Sequence, residues 1–404
     1  MTPVMPGVAL PGALRCRQSP VRLRVLLVAA LAGSAAVSPA LGWPAPEDPE
    51  KDEAARRRDV LHLMALTDAL AAGTPAGSGL ALAWEPHYLK GEAGQTYVPF
   101  SLTISEHSRQ PAAFVVYLRV VPTGVTPPAG EGGPAGMELA TLGLPPGELP
   151  VGGAASQHRR SSRYGEASAR LGLVDREREG ARGPYIFEDS HVVEVMPGDD
   201  IHPFRLRRAL AVPPGEHVLY VAVSEVGDTP ATARSAVMRQ ALAARDFSED
   251  ALSLSSLIVA ERVEPLPAPL EAKLQARRPY AVGSLEIVPV AGRELAQDAE
   301  PAVVFQIYNA GLGAGRKPNV GIEYLLLRLA AELYVPHARL PSQQLDARTL
   351  PADFDPEAGH QLGAVQDLPL SLLPPGEYLL EVTVTDNVQT RSARAAVDFA
   401  VRER

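Results

Sequence analysis

Val212-Pro213-Pro214-Gly215-Glu216-His217-Val218-Leu219-Tyr220-Val221-Ala222-Val223-Ser224-Glu225 returns further along the chain as Leu373-Pro374-Pro375-Gly376-Glu377-Tyr378-Leu379-Leu380-Glu381-Val382-Thr383-Val384-Thr385-Asp386. In each copy a Pro-Pro-Gly turn opens a strand, and the strand closes on an acidic residue. Side chains alternate across a strand, so Tyr378, Leu380, Val382 and Val384 share one face and Leu379, Glu381, Thr383 and Thr385 the other. That is a strand with one face on a core and one mostly in water. The outer set of the first copy, Val218, Tyr220, Ala222 and Ser224, is more apolar. An N-terminal helix, an insertion or a partner is left to cover it. A repeat of this kind signals two copies of one β-domain and names no chemistry.

Two upstream blocks keep the same order. Val98, Phe100, Leu102 and Ile104 alternate with smaller or polar residues, a half-buried strand in which Pro99 suggests an edge or a bulge. The apolar stretch 113–121 follows. Their counterparts are 302–308 and 322–329, with Tyr117-Leu118-Arg119-Val120 matched to Leu326-Leu327-Arg328-Leu329. Arg119 to Pro213 spans 94 positions and Arg328 to Pro374 spans 46, so the first copy carries about 48 surplus residues. The Gly/Pro-rich stretch 122–153 and the Arg/Ser/Glu-rich stretch 156–182 locate that surplus. Neither has the apolar content to offset its chain entropy, and both read as a long mobile loop. Residues 231–244 are strong helix formers but occupy the place of the final strand, 390–401, so tertiary context predicts a strand. A further strand is expected over 252–263.

At the N-terminus, Arg15, Arg17, Arg22 and Arg24 precede the apolar run 25–33, and Ala40-Leu41-Gly42 offers small residues for cleavage before Trp43. This predicts an export signal. The run is shorter than the roughly 20 residues of a spanning helix, and no other stretch reaches that length. Val60, Leu63, Met64, Thr67 and Leu70 recur at helical spacing over 53–72, with Gly73 placed as terminator, and the expected role of this helix is to pack on the first β-domain. Cys16 is the sole cysteine and falls in the signal, leaving no disulfide, thiolate metal site or cysteine nucleophile in the remainder. A net charge of -9 and the lack of basic runs interleaved with aromatics exclude a nucleic-acid surface. Arginine outnumbers lysine, and none of the three asparagines, Asn309, Asn319 and Asn387, sits in a glycosylation acceptor, as suits a bacterial protein.

The hairpin 373–386 resembles the penultimate hairpin of bacterial immunoglobulin-like and fibronectin-III-like modules. Val303-Val304-Phe305-Gln306-Ile307-Tyr308-Asn309-Ala310-Gly311 is similar to an earlier strand of those modules, with Asn-x-Gly making the turn. The likeness covers most of 280–404 and, more faintly, 80–265. Such modules share no active site, so it implies a fold and an interaction role. The Cys–Trp–Cys core of antibody domains is absent.

No nucleophile elbow, zinc helix, P-loop or dinucleotide fingerprint is present. The densest group of possible ligands is Glu188-Asp189-Ser190-His191 with Asp199, Asp200 and His202. Asp189, His191, Asp199 and His202 supply imidazoles and carboxylates for zinc, or for acid–base work, if the flanking strands converge. On a strand Asp189 and His191 share a face and Glu188 points away. Asp353, Asp355 and Glu357 alternate in a loop, as calcium ligands do, without the glycine and terminal Glu of an EF-hand.

The expected architecture is mainly β: two tandem immunoglobulin-like or fibronectin-III-like antiparallel sandwiches preceded by one helix. Residues 1–42 form the signal, 43–78 an acidic leader and helix, and 79–265 the first sandwich, with its insertion at about 122–183. Residues 266–279 form a linker with room for a short helix, and 280–404 the second sandwich. The expected function is non-catalytic binding or scaffolding of a protein or other macromolecule in the bacterial envelope or outside the cell, through strand faces, sheet edges or the insertion. A metal-dependent or hydrolytic enzyme using the 188–202 region is the alternative.

Overall fold

The computed structural model describes residues 49–74, 77–108, 111, 113–124, 185–195, 203–226, 233–248, 250–268, 270, 275, 278–356 and 360–403. Residues 1–42, read above as an export signal, nearly all of the expected insertion and half of 266–279 lie outside them. One helix leads, α1 (Pro49–Ala71). It stops where expected: Gly73 adopts φ +84, and the amides of Gly73 and Thr74 bond back to Leu70 O and Ala69 O.

Nine strands follow: β1 (Gly77–Ser78), β2 (Ala81–Pro86), β3 (Leu89–Lys90), β4 (Thr96–Ser105), β5 (Ala113–Pro122), β6 (Phe187–Glu194), β7 (Phe204–Val212), β8 (Gly215–Glu225) and β9 (Ser235–Ala244). The next eleven are β10 (Ser253–Leu254), β11 (Ile258–Pro265), β12 (Ala281–Val282), β13 (Leu285–Pro289), β14 (Glu294–Ala296), β15 (Ala302–Tyr308), β16 (Val320–Ala330), β17 (Leu333–Leu345), β18 (Leu362–Asp367), β19 (Gly376–Asp386) and β20 (Arg391–Arg402). The chain is thus mainly β, in sandwich-like pairs of sheets.

Two sheets repeat one another. The order β1-β9-β8-β5-β6 in the first half is matched by β14-β20-β19-β16-β17 in the second. Opposite each lies a second sheet built round β4 or β15: β4 carries β2 and β3 on one side and β7 on the other, and β15 carries β11 and β10 on one side and β18 on the other. The pairs enclose separate cores. Val98, Phe100, Leu102, Phe114, Val116, Leu118, Leu219 and Val221 fill the first. Phe305, Ile322, Tyr324, Tyr378, Leu380, Val382 and Val384 fill the second. The strand expected at 231–244 is β9, paired along β8, where ten ladder partners outweigh helix propensity.

Three expectations shift. Arg119 stands opposite Tyr220, whereas the residue opposite the equivalent Glu381 is Leu325, so Arg119 matches Leu325 rather than Arg328. The letter match was three residues out of step, and an odd slip turns every side chain to the wrong face. The corrected pairing superposes the buried sets Phe114, Val116, Leu118, Val120 and Val320, Ile322, Tyr324, Leu326. It trims the surplus by three residues and places it in the β5–β6 connection, where the second copy has a two-residue turn. Second, β10 and β11 hydrogen-bond to β15, and Leu252, Leu254 and Leu257 enter the second core. The first sandwich therefore ends near 245, and 266–279 connects strands of one sheet. Third, Pro99 is in a central strand: its missing N–H falls at the break between β2 and β3, where only its carbonyl is used, accepting from His87 N.

The repeated motif has a common mechanism in both copies. The residue after Gly-Glu reaches back four positions: Tyr378 Oη donates to Pro374 O at 2.6 Å, and His217 Nε2 to Pro213 O at 2.8 Å. A carbonyl only accepts, so His217 carries its proton on Nε2. The closing acid ties down the loop between the first two matched strands. Asp386 accepts from the amides of Gly311, Val388 and Gln389, and Glu225 from Ser108 N. In that loop Glu106 and Asn309 occupy equivalent left-handed positions, both at φ 60.

Candidate functional site

The outer face of β5 and β8 is roofed by α1. Val60, Leu63 and Met64 pack on Val115, Tyr117 and Ala222, and Leu70 and Ala71 on Val121, Val218 and Tyr220. This is the helix role expected from the 3.6-residue period. Beneath the roof lies a charge. Arg119 is 0 % exposed, and its Nη1 donates to Asp68 of α1 at 2.5 Å. Its Nε donates to Tyr117 Oη at 2.9 Å, and Tyr117 in turn donates to Glu188. The guanidinium also lies 4.5 Å from the Tyr185 ring centroid. Burial opposes the Arg119 charge, but Tyr117, Asp68 and Tyr185 outweigh it and hold the group above its ordinary range. Burial, then Glu188, keeps the Tyr117 phenol protonated. The network joins helix to sheet.

Directly behind it, on the opposite face of β6, Asp189 Oδ2 meets His191 Nε2 at 3.1 Å. The shared face of this pair and the contrary direction of Glu188 follow from strand alternation. Arg208 of β7 completes the edge: burial lowers its pKa, and the Asp189 charge works against that. Asp199 and His202 fall outside the described residues. In the other candidate loop, Asp355 N donates to His360 Nδ1 at 3.0 Å, Asp353 is exposed, and Glu357 is outside the described residues. The carbonyls of Pro351, Ala352 and Phe354 receive the Lys317 ammonium at 3.0, 3.0 and 2.5 Å. Among the described residues, no three His, Cys, Asp or Glu side chains gather closely enough to hold a metal.

A third feature was not legible as a site. The β16–β17 hairpin turns on Ala331 and Glu332, both left-handed at φ 46 and 71, which is type I′ geometry without the usual Asn-Gly. Its tip exposes Leu333 (70 %), Tyr334 (39 %) and Val335 (43 %). Arg328 Nη2, near the hairpin tip, bonds Pro375 O at 3.0 Å, which brings the corner with exposed Leu372 (61 %) to the same end. Sequence alone marks Leu333-Tyr334-Val335 as ordinary strand, because exposure depends on how far the hairpin outruns its neighbours. The signal for Arg119 was present, a lone charge in an apolar strand, which demands a buried partner.

No family model matches the chain, and no curated protein matches it. Among solved structures, a DUF4785 family protein from Legionella pneumophila is similar over 79 % of this chain at 8 % identity, with a TM-score of 0.20. The chain spans about half of that protein, 56 % of its length. A red sea bream transglutaminase matches 83 % of this chain and 33 % of its own at 9 % identity and TM-score 0.19. An Escherichia coli alpha-2-macroglobulin matches 81 % of this chain and 16 % of its own at 14 % identity and TM-score 0.19. None of the described helices is long and apolar enough to cross a membrane.

Proposed function

We propose that this chain is an exported, non-catalytic binding or scaffolding protein of the bacterial envelope or extracellular space, built on two tandem immunoglobulin-like or fibronectin-III-like sandwiches. The Tyr378 bond to Pro374 O, four residues upstream at the start of a strand, has the form of the tyrosine corner of such sandwiches and supports the fold reading. The observation that carries the binding reading is the end of the second sandwich. Leu333, Tyr334, Val335 and Leu372 are large apolar side chains left in water on an edge hairpin and a corner at the same end of the sandwich. Clustered apolar exposure of this kind marks interaction surfaces. The backbone of β17 is protected against strand addition by Pro336, Pro341 and two bulges, so the contact is made by side chains.

A photo-crosslinker in place of Tyr334 tests this in cells. One discrete adduct is expected, lost with Leu333→Glu/Leu372→Glu. No adduct, or an adduct that persists unchanged in the double variant, removes this surface from the reading. Stoichiometric zinc in the purified protein, absent from His191→Ala/His202→Ala, overturns the non-catalytic reading itself.

A further inference from the structure

The two sandwiches meet along a polar seam at the β2–β3 corner. Tyr88 and Ser256 bond reciprocally, Tyr88 N to Ser256 Oγ at 2.8 Å and Ser256 N to Tyr88 O at 2.9 Å. Lys90 N donates to Tyr308 Oη at 3.1 Å, and Tyr97 Oη to Pro279 O at 2.9 Å. At the centre His87 Nδ1 lies 3.0 Å from Tyr280 Oη, the rings edge to face with centroids 5.6 Å apart. The other hydrogen bonds named above use backbone groups, a serine hydroxyl and phenols, which hold one protonation state from about pH 3 to 9. His87 does not.

We propose that His87 and Tyr280 form an acid-sensitive latch between the sandwiches, closed while the imidazole is neutral and released when it is protonated. In the closed arrangement the Tyr280 phenol donates to Nδ1, and that nitrogen carries no proton. A proton on Nδ1 places two donors against each other and a charge in a low-dielectric seam. The titratable and charged groups round the pair are few. Glu85 of β2 and Arg207 of β7 act on Tyr280 with opposite sign, and Tyr97 of β4 is held protonated by burial. Among the described residues, the side-chain hydrogen-bond partner of His87 is Tyr280, and no carboxylate pairs with the ring.

Burial lowers the His87 pKa from 6.5 to about 4. The sign follows from linkage: the open state binds the proton more readily, so docking is fully favourable above pH 6.5 and weakens as pH falls from there toward 4. The full swing is at most roughly 300-fold in the docking equilibrium.

Small-angle scattering from pH 7 to 4, with circular dichroism on the same samples, tests the latch on the full chain. The expected result is a rise in radius of gyration below pH 5 with strand signal retained, and faster cleavage between the sandwiches by an acid-active protease. His87→Asn keeps an acceptor at the Nδ1 position and cannot charge, so it is expected to stay compact over that range. The proposal is overturned by wild type and His87→Asn opening together, or by wild type staying compact at pH 4. Should His87→Asn fold poorly, the imidazole of the wild type decides by NMR: titration near 6.5 overturns the latch, and titration near 4 coincident with opening supports it. This latch is independent of the hairpin surface proposed above, and either can fail alone.

Discussion

The two outer faces of the repeated sheet share strand order and register yet meet different fates. In the first copy the face reads Val115, Tyr117, Arg119 and Val121 on β5, with Val218, Tyr220 and Ala222 on β8, all buried under α1. In the second, the same positions hold Gly321, Glu323, Leu325 and Leu327, with Leu379, Glu381 and Thr383, and the face is half-buried, with Glu323 exposed. A sheet that is apolar on both faces needs a third layer, and one with alternating polarity does not. The Arg119–Asp68 pair then fixes where the helix lies, because a buried guanidinium demands its partner.

The sharpest way to break the comparison is to remove that partner. Asp68→Ala strands a buried charge and is expected to cost about 3–5 kcal/mol in chemical denaturation. Glu381→Ala, which parts Glu381 from Arg394 at 3.9 Å on the open face, is expected to cost under about 1 kcal/mol. Equal costs would show that α1 does not bury Arg119. Leu63→Ala follows, at about 2–5 kcal/mol, since Leu63 is wholly buried in the helix–sheet seam.

The closing acids offer a finer contrast. Asp386 holds three amides and Glu225 one of the matched loop amides, so Asp386→Ala is expected to cost about 2–3 kcal/mol and Glu225→Ala about 1. Hydrogen exchange at Gly311 and Ser108 reads each loss locally. Smallest is the corner itself. Tyr378→Phe is expected to cost about 1 kcal/mol, and His217→Tyr in the first copy to be nearly neutral because the phenol reaches the same carbonyl. A large penalty for His217→Tyr would mean the copies close their corners differently.

Much of this was legible before any coordinates. Strand alternation correctly divided Tyr378, Leu380, Val382 and Val384 from their neighbours, and it set Asp189 and His191 on one face with Glu188 on the other. The 3.6-residue period placed α1 and its contact residues. Letter matching was weaker: Leu-Arg recurs at 118–119 and 327–328, but the recurrence is coincidental, and the parity of buried positions overrules it. The boundary at 265 misled because β10 and β11 follow the first copy in sequence while pairing with β15 in space.

What the sequence determined by itself is therefore local and periodic: a doubled β-domain, a lone helix, and a surplus within the first copy. Those readings rest on residue spacing, which the backbone turns directly into faces. Only the tertiary structure decided which strand each ladder chose, that Lys317 sits among the carbonyls of 351–354, and that Arg119 lies under Asp68. Such pairings join residues far apart in the chain, and nothing in the spacing of one element encodes the position of another.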